Sequence, residues 1–315
     1  MSRLRQFLGL PPRQRWPMDP PRAPVAICES EGWFGFMVEV LYPTAHRVTV
    51  APGDKVSRVV GALSPSTRGV LLNLNLSFTA DFLEPDAGWP AGLPVLNASA
   101  TDVRKRTLHA RAPAVGVPSA RAAESGPPDE RLIVKTTLNY AGKPERLMRE
   151  RWPERARSFT TDISDREEYV ICRRDEIATT TWADPTLVVE RYITNPDGLF
   201  IRTYVVGPAA VVTLAWASGD IKKLSLPQHD RRDYYFWDAV TLGPTSDVAA
   251  RALAVARPLA SALGADFCGV DCAVDADGTI IPVDVNKTPY WGHPRQSPVL
   301  AHLRHGFNAL IGDFT

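Results

Sequence analysis

Apolar and polar positions alternate in two styles along this chain. Between residues 24 and 95 short apolar runs are separated by segments of helical periodicity. The run PVAICES reads as a strand, Trp33 to Leu41 as a helix and HRVTVAP as a strand. Lys55 to Leu63 follows as a helix and RGVLLNLNL as a strand. Strand and helix in turn predict a parallel α/β sheet. No Gly-x-Gly-x-x-Gly is present, so a dinucleotide fingerprint is absent. Glu29, Ser30, Glu31 and Gly32 stand where the first strand meets its helix, the place open sheets put ligands, although a plain loop is the favoured reading.

The middle of the chain is mixed. Pro94 to Leu96 reads as a short strand, with Asn97 or Ser99 able to begin the next helix. Asp102 to Ala112 has helical character and is stopped by Pro113 and Gly116. Leu132 to Val134 reads as a strand that ends on Lys135. Arg146 to Arg157 reads as an exposed helix or loop, and EEYVICRR as a strand.

From Leu187 the pattern becomes strand-rich. Leu187 to Ile193, Phe200 to Val206 and Ala210 to Ala217 read as strands, with a turn at Asn195-Pro196-Asp197-Gly198. QHDRRDYY, containing Arg231 and Arg232, reads as a loop. Asp247 to Leu263 is an alanine-rich helix that Pro258 should kink or split. Ser297 to Leu310 reads as a closing helix.

The most informative stretch is Gly264 to His293. Phe267 to Val274 and Thr279 to Val285 flank Asp275-Ala276-Asp277-Gly278, a strong hairpin signal. Asp271 sits in the first run. Asp284 and Asn286 sit two apart in the second, on one strand face. Pairing the strands brings three oxygen ligands toward one point. Two carboxylates and an amide suit a hard cation such as magnesium, held together with substrate phosphates. A solvated strand face is the alternative, but the apolar flanks argue for burial, and buried carboxylates need partners.

Composition narrows the class. The 315 residues are 44% hydrophobic and 23% charged, ordinary for a globular protein of two or three sub-structures. A formal net charge of +1 implies no global affinity for nucleic acid or membranes. No apolar run approaches the ~20 residues of a membrane span. Residues 1–22 are Arg- and Pro-rich without an apolar core, which favours a tail or surface strap over a secretory signal; an organellar transit peptide is the alternative. Cys28, Cys172, Cys268 and Cys272 include no Cys-x-x-Cys pair, and Cys268 and Cys272 read as small buried apolar residues. A cytoplasmic location is the expectation.

Taken in order, these pieces resemble the ATP-grasp superfamily, whose members include D-alanine–D-alanine ligase, glutathione synthetase and the ligases that add glutamate to ribosomal proteins. The resemblance covers roughly residues 95 to 293, and the preceding segment is similar to the family's N-terminal domain. Five matches occur in family order: Lys105 before Gly116-Val117-Pro118; the strand-end Lys135; the adenine-binding hinge at Val188 to Ile193; Arg202 before Val-Val-Gly; and Gly269-Val270-Asp271 with Asp284-Val285-Asn286. Three departures stand out. The metal strand carries Asp284 where Glu is usual. The phosphate loop TTLNYAGK has only Gly142, where the family is glycine-rich. Phe200 replaces an acidic residue before the strand Arg, leaving Asp197 or another group for the ribose.

The resemblance implies an α/β (α+β) ATP-grasp fold with an N-terminal α/β pre-ATP-grasp domain. Its expected divisions are a tail at 1–22, the pre-ATP-grasp domain at 23–95, a first ATP-grasp subdomain at 96–186 and a C-terminal subdomain with the metal site at 187–315. It implies ATP with its adenine against Glu190, Arg191, Tyr192 and Ile193, phosphates met by Lys105 and Lys135, and one or two Mg2+ ions on Asp271, Asp284 and Asn286. Arg202 would stabilise the transferred phosphoryl group, and Lys222 would sit near the acceptor. Arg231 and Arg232 are candidates for a substrate carboxylate; Lys287, Tyr290, Trp291 and His293 for a loop over the substrate. The activity so implied is an ADP-forming carboxylate–amine ligase acting through an acyl phosphate. Two alternatives stay open: a small-molecule kinase resembling the inositol polyphosphate kinases, whose metal strand carries Asp-x-Asn, and a non-catalytic nucleotide-binding protein. The expected partners are a small-molecule or peptide carboxylate and an amine, with no nucleic acid and no membrane, and a homodimer is among the candidate states.

Overall fold

A parallel sheet opens the chain. A computed structural model describes residues 23–30, 36–166, 168–217, 229–237, 246–289 and 298–311. The first unit comprises β1 (Ala23–Ser30), α1 (Phe36–Leu41), β2 (Ala45–Val50), β3 (Asp54–Lys55), α2 (Val56–Gly61), β4 (Gly69–Asn73), β5 (Leu83–Glu84) and β6 (Val95–Leu96). Its main sheet has the order β2-β1-β4-β6 with every pair parallel, as the alternation of strand and helix predicts. Glu31 and Gly32 lie outside the described residues.

A second unit contains α3 (Lys105–Arg111), β7 (Arg131–Thr136), α4 (Lys143–Arg151), β8 (Val170–Arg173), α5 (Thr179–Ala183) and β9 (Leu187–Arg191). Its antiparallel sheet has the order β8-β7-β9. Neither Asn97 nor Ser99 begins a helix. Asn97 is left-handed, with φ 61°, and its side chain makes a tertiary link instead. The amide oxygen accepts from the backbone of Asp266 and Phe267 at 2.9 Å each, and the amide nitrogen donates to Phe267 O at 2.9 Å. Those three bonds outcompete a single helix cap. Asp102 precedes α3 rather than lying in it; its carboxylate accepts from Arg104 and Thr107.

The third unit is a five-stranded sheet of β10 (Leu199–Val206), β11 (Ala209–Ala217), β12 (His229–Trp237), β13 (Phe267–Val274) and β14 (Ile280–Asn286), with α6 (Asp247–Ala262) and α7 (Pro298–Ile311). The order is β12-β11-β10-β13-β14, antiparallel throughout. The stretch with Arg231 and Arg232 is strand β12, not a loop, because the aromatic run Tyr234 to Trp237 favours extended backbone. Arg231 pairs with Trp216 and Arg232 with Ala215. Helix α6 is a single element that contains Pro258. Its alanine face, with Ala249, Ala252, Ala256 and Ala260, packs on the sheet and offsets the missing hydrogen bond.

Strand alternation sorts the sheet into two faces. Ile201, Val205, Cys268, Val270 and Cys272 pack toward α6. Tyr204, Val206 and Phe267 pack on the other side against Phe307 of α7. All four cysteines are free, and Cys28, Cys268 and Cys272 are buried. Gly264 ends the α6 segment at φ 69°, and a Cβ there would lie 2.6 Å from Ser99 O. Among the described residues no helix is long and apolar enough to cross a membrane.

Candidate active site

The hairpin register builds the centre of the site. Arg202 on β10 lies opposite Asp271 on β13, and Asp271 lies opposite Asp284 on β14. Directly opposed residues share a face, so three charged side chains form a row across three strands. One step on, Cys272 pairs with Pro282, so Val283 is the extra residue of a bulge. The bulge sets the register that keeps Asp284 facing Asp271 while Val285 packs in the core behind. It also accommodates Pro282, which cannot donate to the ladder.

Arg202 grips Asp271 with both arms. Its Nε donates to Oδ1 at 2.5 Å and its Nη2 to Oδ2 at 2.6 Å. Burial pushes the Asp271 carboxyl up from its usual range; Arg202 opposes this and Asp284 adds to it. Burial works against the charge of Arg202, but Asp271 outweighs it and keeps the guanidinium firmly protonated. Asn286 Nδ2 stands 3.5 Å from Asp271 Oδ2. Asp284 Oδ1 is buried without a hydrogen-bond partner among the described residues. Lys105 Nζ is 3.7 Å from that oxygen.

Lys105 opens α3 and is 1% exposed. Its ammonium donates to Leu138 O and to Asn139 Oδ1, both at 3.2 Å. The Asn139 amide nitrogen donates to Val285 O at 2.7 Å and Asn286 Oδ1 at 3.3 Å. Asn139 thus ties the loop after β7 to strand β14, a role the sequence reading missed. The available signal was an amide four residues after a Lys-ended strand, in the loop TTLNYAGK.

The loop itself is strained. Tyr140, Ala141 and Gly142 are left-handed in succession, at φ 52°, 54° and 72°. Only Gly142 adopts this without cost; a non-glycine residue there costs about 1–2 kcal/mol. The scarcity of glycine therefore does not prevent the loop from taking a glycine-like path.

A second cluster forms one helical turn further on. His109 follows Lys105 by four residues and shares its face of α3. His109 Nε2 lies 3.0 Å from Glu190 Oε1 and Nδ1 lies 3.0 Å from Ser119 Oγ. Lys135 on β7 pairs with the other oxygen of Glu190. Glu190 is 1% exposed. Burial would raise its carboxyl, but the charge of Lys135 and then His109 win and hold it at about 2. Tyr169 joins the two clusters: its ring lies 5.7 Å from Lys135 Nζ. Burial pushes its hydroxyl up, and the charge of Asp284 adds to that.

The hinge runs from Glu190 out of β9. Arg191 N–H donates to Ala120 O at 2.7 Å and Tyr192 N–H to Arg131 O at 3.1 Å. The Tyr192 ring stacks under the Arg131 guanidinium at 4.4 Å. Arg191 Nη1 reaches within 3.8 Å of Asp275. Ile193 N–H makes no backbone hydrogen bond among the described residues.

Lys105, Arg202, Asp271, Asp284 and Asn286 are thus brought together in one cluster, and Lys135 with Glu190 in the next. Lys222, Tyr290, Trp291 and His293 lie outside the described residues. Lys287 is buried, and its ammonium reaches Thr79 Oγ1 in the first unit and Ala100 O in the segment before α3, both at 2.8 Å. Burial holds its pKa down to about 7. Glu29 is paired with Arg47 at 2.7 Å, while Ser30 Oγ is buried without a partner among the described residues.

Among the described residues no three His, Cys, Asp or Glu side chains gather. The donor set at the hairpin is two carboxylates and one amide.

No protein-family model and no curated protein matches the sequence. Solved structures do. The ATP-grasp ligase PsnB, complexed with a phosphomimetic variant of minimal precursor, Mg and ADP, superposes with a TM-score of 0.51 at 11% identity, covering 92% of this chain and 99% of that one. The D-cycloserine synthetase DcsG gives 0.49 at 14% identity, covering 91% and 99%. The VanG D-Ala:D-Ser ligase from Enterococcus faecalis gives 0.43 at 13% identity, covering 91% and 98%. Identities this low speak for architecture alone, and the PsnB superposition spans nearly the whole of both chains. The chain has the ATP-grasp fold.

Proposed function

We propose that this protein is an ATP-dependent, ADP-forming carboxylate–amine ligase. The observation that carries the reading is the row Arg202–Asp271–Asp284, closed by Lys105, on an ATP-grasp fold. Asp271, Asp284 and Asn286 would hold one or two magnesium ions; the buried, unpartnered Asp284 Oδ1 and the all-oxygen donor set fit a hard cation. Magnesium, when bound, neutralises phosphate charge. Lys105 and Lys135 neutralise further phosphate oxygens, and the hinge from Glu190 to Ile193, through Arg191 and Tyr192, holds the adenine. With Nε and Nη2 engaged by Asp271, Arg202 still has the N–H groups of its outer edge, on Nη1 and Nη2, to donate to a phosphoryl group.

In this reaction an oxygen of the substrate carboxylate bonds to the γ-phosphorus as the bond to the ADP oxygen breaks. The amine nitrogen then bonds to the acyl carbon as the phosphate leaves, and the amine gives up a proton. Neither step needs a protein nucleophile; positioning and electrostatics suffice. Lys222 is the candidate for contact with the acceptor. Asp284, where a glutamate is usual, favours one second reading, a small-molecule kinase in which a hydroxyl oxygen takes the phosphoryl group and keeps it.

The test is a screen for ADP release from magnesium-ATP with pooled carboxylates and amino acids. Release that needs both an acid and an amine supports the ligase. A stable phosphate ester on a hydroxyl overturns it.

A further inference from the structure

Between the first unit and the segment that follows β14 lies a cavity of about 180 Å³. An apolar cavity of about 150 Å³ accommodates benzene, so this one takes a body of that size or slightly larger. Leu72, Leu74, Phe82 and Trp89 are among its apolar lining, and Thr79, Asn97, Thr101 and Lys287 are polar lining, with Lys287 and Thr79 in direct contact. Asp81 is exposed and also lines it.

Lys287 is the unusual member. It is 4% exposed, and both of its hydrogen-bond acceptors, Thr79 Oγ1 and Ala100 O, are neutral. Glu145 and Asp102 attract it only from beyond ion-pair distance. Asp102 accepts from Arg104 and Thr107 and Glu145 Oε1 from Ser77 N–H, while Glu145 Oε2, buried and without a hydrogen-bond partner among the described residues, lies beyond ion-pair reach of Lys287. A buried ammonium without an adjacent anion is costly, and a third N–H remains to be satisfied. Thr79 Oγ1 accepts from Lys287, which leaves its own proton to donate. A largely apolar room with a cation and a hydroxyl donor side by side in its lining matches one ligand chemistry, an apolar body carrying a single carboxylate. Asp81 disfavours a second negative charge.

We propose that this cavity binds a small apolar monocarboxylate, with its carboxylate on Lys287 and Thr79 and its body against Leu72, Leu74 and Trp89. The site is independent of the nucleotide reading, because none of its residues belongs to the nucleotide cluster.

Calorimetry on the full chain without nucleotide tests it, with 4-methylpentanoate, acetate and 4-methylpentan-1-ol as probes. The expected result is 4-methylpentanoate bound at least tenfold tighter than either of the others. Lys287→Met should erase the preference of carboxylate over alcohol. Ala98→Trp, at an exposed position on the rim, should block all three and leave the fold intact. No binding of 4-methylpentanoate to the unaltered protein overturns the proposal. So does equal affinity for the alcohol, or displacement of the carboxylate by magnesium-ADP, which would put it in the nucleotide site.

Discussion

Arg202 and Asp271 face each other across β10 and β13 and share two charge-assisted hydrogen bonds of 2.5 and 2.6 Å. The pair is almost wholly buried, so each charge depends on the other. Arg202→Ala leaves a carboxylate without its cation and is expected to cost about 3–5 kcal/mol in chemical denaturation. The double variant Arg202→Ala with Asp271→Ala should cost clearly less than the sum of the two single changes. Additive losses would mean that the two charges are not coupled.

Glu190 makes stability depend on pH. Its folded pKa of about 2 lies below the ordinary 4.5. A depressed carboxylate contributes stability that is present above the unfolded pKa and lost as pH falls through the folded one. The contribution is about 3 kcal/mol, lost between about pH 4.5 and 2. Glu190→Gln should therefore flatten the stability curve over that window, measured by urea denaturation at stepped pH. An unchanged slope would show that Lys135 and His109 do not hold the carboxylate ionised.

Asp284 contributes little to the unliganded fold, because its Oδ1 has no hydrogen-bond partner among the described residues and its 3.7 Å ion pair with Lys105 is offset by repulsion from Asp271. Asp284→Ala should change unfolding free energy by less than about 1 kcal/mol. The same change should weaken magnesium-ADP binding at least tenfold by calorimetry. Intact nucleotide affinity would remove Asp284 from the metal site.

Ala141 sits at φ 54°, where a Cβ is disfavoured. Ala141→Gly should stabilise the protein by about 0.5–1 kcal/mol, the relief of left-handed strain less the extra freedom of the unfolded chain. Destabilisation by thermal melt would mean that the methyl group packs usefully in the loop.

The hairpin was legible because its period-two pattern and Asp-Gly turn are local signals, and alternation alone puts Asp284 and Asn286 on one face. The bulge at Val283 was not, because register is a property of two strands. Asn139 and His109 were missed for a related reason. Their partners, Asn286 and Glu190, are far away in sequence, and a lone amide or histidine carries no spacing signal. Asn97 looked like a helix cap, since its local preference is real, but a tertiary link to Phe267 overrode it. Lys287 looked like part of a substrate loop from its place directly after β14. The chain instead turns its side chain into the first unit toward Thr79.

The fate of the γ-phosphoryl group separates the ligase from the kinase. A substrate carboxylate labelled with oxygen-18, incubated with magnesium-ATP and an amine acceptor, follows it directly. The ligase reading predicts one labelled oxygen in the inorganic phosphate released with ADP, as the carboxylate oxygen leaves on phosphorus. Unlabelled phosphate, or phosphorus retained on a hydroxyl with none released, would contradict it.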